Sequence, residues 1–103
     1  MGSVSTSIKV SSPQDSVKPI ALSLLVDTGA TFTVISSPNL QSLGIKPKFK
    51  RRLRVADGRV VDRDEATVLV EIMDRKGEVP VVFGEKGDTP VIGMTTLEIL
   101  GFE

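Results

Sequence analysis

The chain has no cysteine and no histidine, and those two absences remove most of the common hydrolytic chemistries. Lacking thiols, it has neither a disulfide framework nor a thiolate metal site nor a cysteine nucleophile. Lacking imidazole, it is without the commonest general base and the commonest transition-metal ligand, so Ser-His-Asp hydrolases and zinc hydrolases are excluded together. No metal and no cofactor are expected. An excess of charge is also missing: 13 Lys plus Arg stand against 13 Asp plus Glu, which gives no global field for nucleic acid or an anionic membrane. Long apolar runs are missing too. The most apolar window, "PIALSLLV" at 19 to 26, falls far short of the roughly 18 residues of a spanning helix, and no charged-then-apolar leader opens the chain. A soluble, cytoplasmic protein is expected. If such a chain is a hydrolase, its carboxylates must carry the chemistry.

What the sequence does contain is alternation. Its 103 residues suit one domain, 1 to 103, with a single core. "SVSTSIKV" (3 to 10) and "VKPIALSLLV" (17 to 26) flank the turn-forming "SSPQDS" and read as a first hairpin. Lys46, Lys48, Lys50, Arg52 and Arg54 fall on alternate positions while Phe49, Leu53 and Val55 take the other parity, whose apolar side only Arg51 breaks, the mark of a half-buried strand with one solvated face. That placement, with only Phe49 available for stacking, favours a strand face over a nucleic-acid interface. Asp57-Gly58 is the dipeptide preferred in a two-residue type I′ turn, so 52 to 56 and 59 to 63 are predicted to pair. "ATVLVEIM" (66 to 73), "DRKG" and "EVPVVF" (78 to 83) predict a further hairpin. Two short helices interrupt the strands. One has Ser37 as cap, Pro38 at its first position and Gly44 at its end; the other has Thr95 and Glu98 at capping-box spacing, with Gly101 as its stop.

Two places stand out chemically. "LLVDTGAT" (24 to 31) drives three large apolar residues toward a core and then sets Asp27 directly behind them. "TPVIGMTTLEIL" (89 to 100) sets Val91 and Ile92 before Gly93 and the second helix. Each alone reads as an ordinary strand end with turn residues. Together, in this order and with a glycine-tipped hairpin between them, they form a pattern.

That pattern resembles the retropepsin-like aspartic proteases, of the cellular and microbial type that carries a short helix after the active-site strand, here "SSPNLQSLGI" (36 to 45). The resemblance spans nearly the whole chain. It implies an all-β, closed, barrel-like fold with one or two short helices, a symmetric homodimer, and hydrolysis of peptide bonds in peptides or unfolded proteins. By matching position, Asp27 is the catalytic carboxylate, Thr28 ties the two copies together across the axis, and Gly29 lets the backbone approach closely. Ala30 leaves space beside the acid. Val55, Ala56, Asp57, Gly58, Arg59 and Val60 form the flap over an extended peptide, and Val91 and Ile92 are pocket walls. The chemistry independently asks for two copies: amide hydrolysis by water needs a base and an acid, and two close carboxylates that share one proton supply both, the established behaviour of the aspartic protease dyad. One Asp-Thr-Gly per chain gives such a pair only across a two-fold axis. The alternative is a catalytically inactive module of the same fold that dimerises or binds peptides.

Overall fold

The computed structural model describes residues 4–14, 18–54 and 58–102. The strands are β1 (Ser5–Ser11), β2 (Ile20–Val26), β3 (Thr33–Ser36), β4 (Phe49–Arg54), β5 (Val60–Ile72), β6 (Arg75–Gly84) and β7 (Val91–Ile92), with helices α1 (Ser37–Ser42) after β3 and α2 (Met94–Ile99) after β7. The protein is mostly β-sheet with two short helices, as its alternation predicts. Strands pair in the order β1-β2-β7-β3-β6-β5-β4, and β1 also pairs with β5. Period-two burial sets the core: Ala66, Val68, Val70 and Ile72 of β5 are all buried, facing the equally buried Val79 and Val81 of β6. Burying each of these valines and Ile72 is worth about 1.5–3 kcal/mol.

Four local expectations are corrected. First, 60 to 72 is one strand rather than two. One of its edges is shared, β4 pairing residues 60 to 65 and β1 pairing 69 to 72, while β6 pairs 65 to 72 along the other. Second, the β5–β6 turn is Met73–Asp74, because Ile72 already faces Arg75. "DRKG" is therefore mostly strand, and the reason is tertiary. Extended Arg75 reaches the carbonyls of Leu100 and Gly101 at 3.1 and 2.6 Å, and its guanidinium lies 4.9 Å from the Phe102 ring centroid, so the strand start closes the end of α2.

Third, neither helix is capped by its own side chains. Ser37 lies inside α1, and its hydroxyl donates to the Gly84 carbonyl at 3.0 Å. Thr95 lies inside α2, whose N-cap is Gly93. The carboxyl ends follow expectation. Gly44 and Gly101 take φ of 73° and 84°, and the N–H groups of Ile45 and Phe102 donate back to Leu40 and Leu97, a Schellman closure in both cases.

The β4–β5 hairpin forms, but one residue out of the predicted register. A two-residue turn at 57–58 would set Arg52 opposite Arg63; instead Arg52 faces Asp62, Lys50 faces Asp64 and Leu53 faces Val61. Two opposite-charge pairs meet directly in this register, at 2.9 Å for Lys50–Asp64 and 3.2 Å for Arg52–Asp62, and the like-charged pair it also creates, Arg51 opposite Arg63, is offset by Glu65 and Asp88, which bind the two guanidinium groups separately. Val55, Ala56 and Asp57, predicted for the turn and its flank, lie outside the described residues.

Candidate active site

Parallel pairing of β2 with β7 brings the two sequence landmarks side by side. Leu25 faces Val91 and Val26 faces Ile92, and the next N–H, that of Asp27, donates to the Ile92 carbonyl at 3.0 Å. Beyond Asp27 the chain turns sharply. Ala30 N–H donates to the Asp27 carbonyl at 3.0 Å, and Gly29 N–H donates to Asp27 Oδ1 at 2.9 Å. One carboxylate oxygen is thereby fixed by the backbone, and the side chain stays exposed. Of the three apolar residues expected to enter the core only Leu24 is buried, Val26 being half-buried and Leu25 exposed, and the turn then carries the acid out to the surface.

The same turn supplies what α2 lacks at its start. Ala30 and Thr31 carbonyls accept from the N–H groups of Met94 and Thr95 at 2.8 and 2.9 Å, satisfying two donors that a helix leaves open at its N-terminus. This is why the capping box is unused. Beneath the turn, the buried Thr33 hydroxyl accepts from Gly93 N–H at 3.0 Å and bonds the Thr96 hydroxyl at 2.6 Å. Gly93 is forced: a Cβ there would stand 2.4–2.8 Å from backbone atoms of Phe32. Helix, glycine and acid-bearing turn form one hydrogen-bonded block.

Asp27 opens onto a groove of about 830 Å³. Its floor includes a row of valines across three strands, since Val91 faces Val34 and Val34 faces Val82. Of the residues predicted from sequence, Asp27, Gly29, Ala30, Arg59 and Val91 line this groove. Thr28 is exposed beside it. Gly58 and Val60 stand at the mouth of the β4–β5 hairpin and Val60 is about half exposed. Ile92 is fully buried in the core and does not line this groove, unlike the pocket wall it was expected to form. Val55, Ala56 and Asp57 are outside the described residues.

Sequence reading missed the opposite wall, where Arg52, Leu53, Arg54, Arg63 and Asp88 contribute. Arg63 and Asp88 form a two-pronged ion pair at 2.7 and 3.0 Å, with side chains only 13% and 17% exposed. The hydrogen bonds from Arg63 hold the Asp88 carboxyl below its usual range against the opposing effect of burial, helped by Glu85 N–H at 2.8 Å. Nothing local in the sequence signals this pair, because its members belong to different elements. A second pair, Arg51 with the buried Glu65 at 2.6 Å, places its guanidinium 4.7 Å from the Phe32 ring centroid. It ties the hairpin base to the turn that carries Asp27.

Among the described residues no group of three or more acidic, histidine or cysteine side chains could hold a metal ion, and no helix is long and apolar enough to cross a membrane. A family profile described as aspartyl protease matches residues 15–96, a span holding the Asp27 turn, the β4–β5 hairpin and β7. A search of curated proteins found no match.

Proposed function

Because this chain belongs to the aspartyl protease family, we propose that it is a homodimeric aspartic endopeptidase of the retropepsin type, its strands closed into a barrel-like body. The observation that supports this most is an exposed Asp27 carboxylate, held by Gly29 N–H, at the edge of a groove floored with valine. A second copy related by a two-fold axis would bring its own Asp27 opposite the first. The two carboxylates would then share one proton and supply acid and base together, as aspartic protease dyads do.

In the proposed reaction the ionised carboxylate takes a proton from water as the water oxygen bonds to the peptide carbonyl carbon. The protonated carboxyl gives its proton to the carbonyl oxygen. Collapse of the resulting diol breaks the carbon–nitrogen bond, with a proton passing to the departing amine. Thr28, exposed beside the acid, would hydrogen-bond across the axis and fix both carboxylates. Residues 55 to 60 at the tip of the β4–β5 hairpin would close over an extended peptide and exclude water. The substrate main chain would lie as an added strand, with its side chains in alternating pockets.

The test compares wild type with Asp27→Asn on an unfolded protein and a peptide library between about pH 3 and 7, where paired carboxylates titrate. Wild type should generate fragments, and the variant should be slower by about 10³-fold or more, the scale of losing acid–base catalysis. Equal fragmentation by both would end this reading. Peptide binding by both proteins with no cleavage by either would favour an inactive module.

A further inference from the structure

The charges lining the groove do not follow those of the chain. Lys plus Arg equal Asp plus Glu overall, yet among the described residues the groove is lined by Arg52, Arg54, Arg59 and Arg63 against Asp27 and Asp88. Arg63 is committed to Asp88 and nearly buried. Arg52 and Arg54 are exposed. Arg52 meets Asp62 at 3.2 Å with both side chains more than half exposed, a contact that solvent and salt weaken and that another carboxylate can replace at little cost. Arg54 donates to the neutral Gly58 carbonyl at 2.9 Å. The residue types matter as well. Along the basic stretch the lysines at 46, 48 and 50 stay outside the groove, and arginines stand where the strand lines it. Guanidinium forks match carboxylates in two-pronged fashion, which an ammonium cannot do.

We propose that this groove selects peptides bearing acidic side chains, with Arg52 and Arg54, beside Arg59, receiving a substrate carboxylate while the main chain lies against the valine floor near Asp27. The inference rests on the groove being the peptide cleft proposed above. A single-stranded nucleic acid fits less well. Asp27 would repel its phosphates, and the one aromatic side chain among the described lining residues, Phe32, already carries the Arg51 guanidinium, which disfavours base stacking there.

The experiment uses fluorescent peptides that share an aliphatic centre and carry Glu, Gln or Lys at the flanking positions. Their binding to wild type and to Asp27→Asn is followed by anisotropy at low and raised salt. The Glu peptide should bind roughly fivefold tighter than the Gln peptide, the worth of two exposed charge contacts, with Lys weakest. The ratio should fall toward one in Arg52→Gln/Arg54→Gln, in Arg54→Gln partway, and in both proteins at raised salt. Circular dichroism verifies that the variants are folded. Equal binding of Glu and Gln peptides, a preference that survives the double substitution, no peptide binding, or stronger displacement by a single-stranded oligonucleotide than by the Glu peptide would each overturn the inference. Cleavage of the same peptides by wild type is read separately: acid-selective binding without cleavage would reject the endopeptidase reading and leave this one standing.

Discussion

Gly93 and Thr33 show how little freedom the residues around Asp27 have. Any side chain at 93 meets the Phe32 backbone, which cannot swing away as a flexible side chain does. Gly93→Ala should therefore cost about 3 kcal/mol or prevent folding, read by urea denaturation. Thr33 joins two elements through one hydroxyl. Thr33→Val keeps the shape but strands the Gly93 N–H and the Thr96 hydroxyl in a buried site, a loss of about 2 kcal/mol, whereas Thr33→Ser should recover most of it. Met73 is the opposite case. It holds φ of 57°, a conformation costly for side chains with a Cβ, and is 76% exposed, so little packing opposes its removal. Met73→Gly should raise stability by about 0.5–1 kcal/mol, visible as a melting temperature higher by roughly 2–8 °C in a domain near this size.

At the scale of elements, the β4–β5 hairpin is held over the groove by charge. Arg63 clips its second strand to the loop after β6 through Asp88. Asp88→Asn should lower stability at neutral pH by about 2 kcal/mol, the worth of hydrogen bonds to a charged group. The pH dependence has a definite sign. The Asp88 carboxyl lies below its ordinary value in the folded protein, so its contribution is fully present above the unfolded value near 3.9 and is lost as pH falls through the folded one. Wild type and Asp88→Asn should therefore converge in melting temperature below about pH 4. A difference that stays constant from pH 7 to pH 2.5 would show that shape, and not charge, fixes the loop. An acid protease assayed at low pH would lose part of this clip under its own assay conditions.

At the scale of the whole molecule, the proposed activity is incomplete in one copy, because Asp27 is the one carboxylate of the Asp-Thr-Gly turn and faces solvent. Solution mass should double when a transition-state-like peptide inhibitor is added, since an occupant spanning both copies adds its binding energy to association. A mass that stays that of one chain at saturating inhibitor would leave Asp27 without a mate. Inhibitor-dependent dimerisation should weaken in Asp27→Asn if the paired carboxylates contact the inhibitor, while the melting temperature of the single chain stays near wild type, as expected for an exposed side chain.

The sequence by itself determined the β-rich class, the two helices and their glycine stops, because these depend on period-two alternation and on positive φ, both local properties. It also marked Asp27, since an acid directly after an apolar run is visible in one line of text. The hairpin register, the valine row from β7 through β3 to β6, the Arg63–Asp88 clip and the capping of α2 by the Ala30 and Thr31 carbonyls were decided only in three dimensions. Each joins residues distant in the chain, and no local propensity reports which strand will lie beside which. The predicted side-chain caps lost to backbone carbonyls for the same physical reason: a helix end needs its donors satisfied, and the fold brought a partner closer than the sequence could.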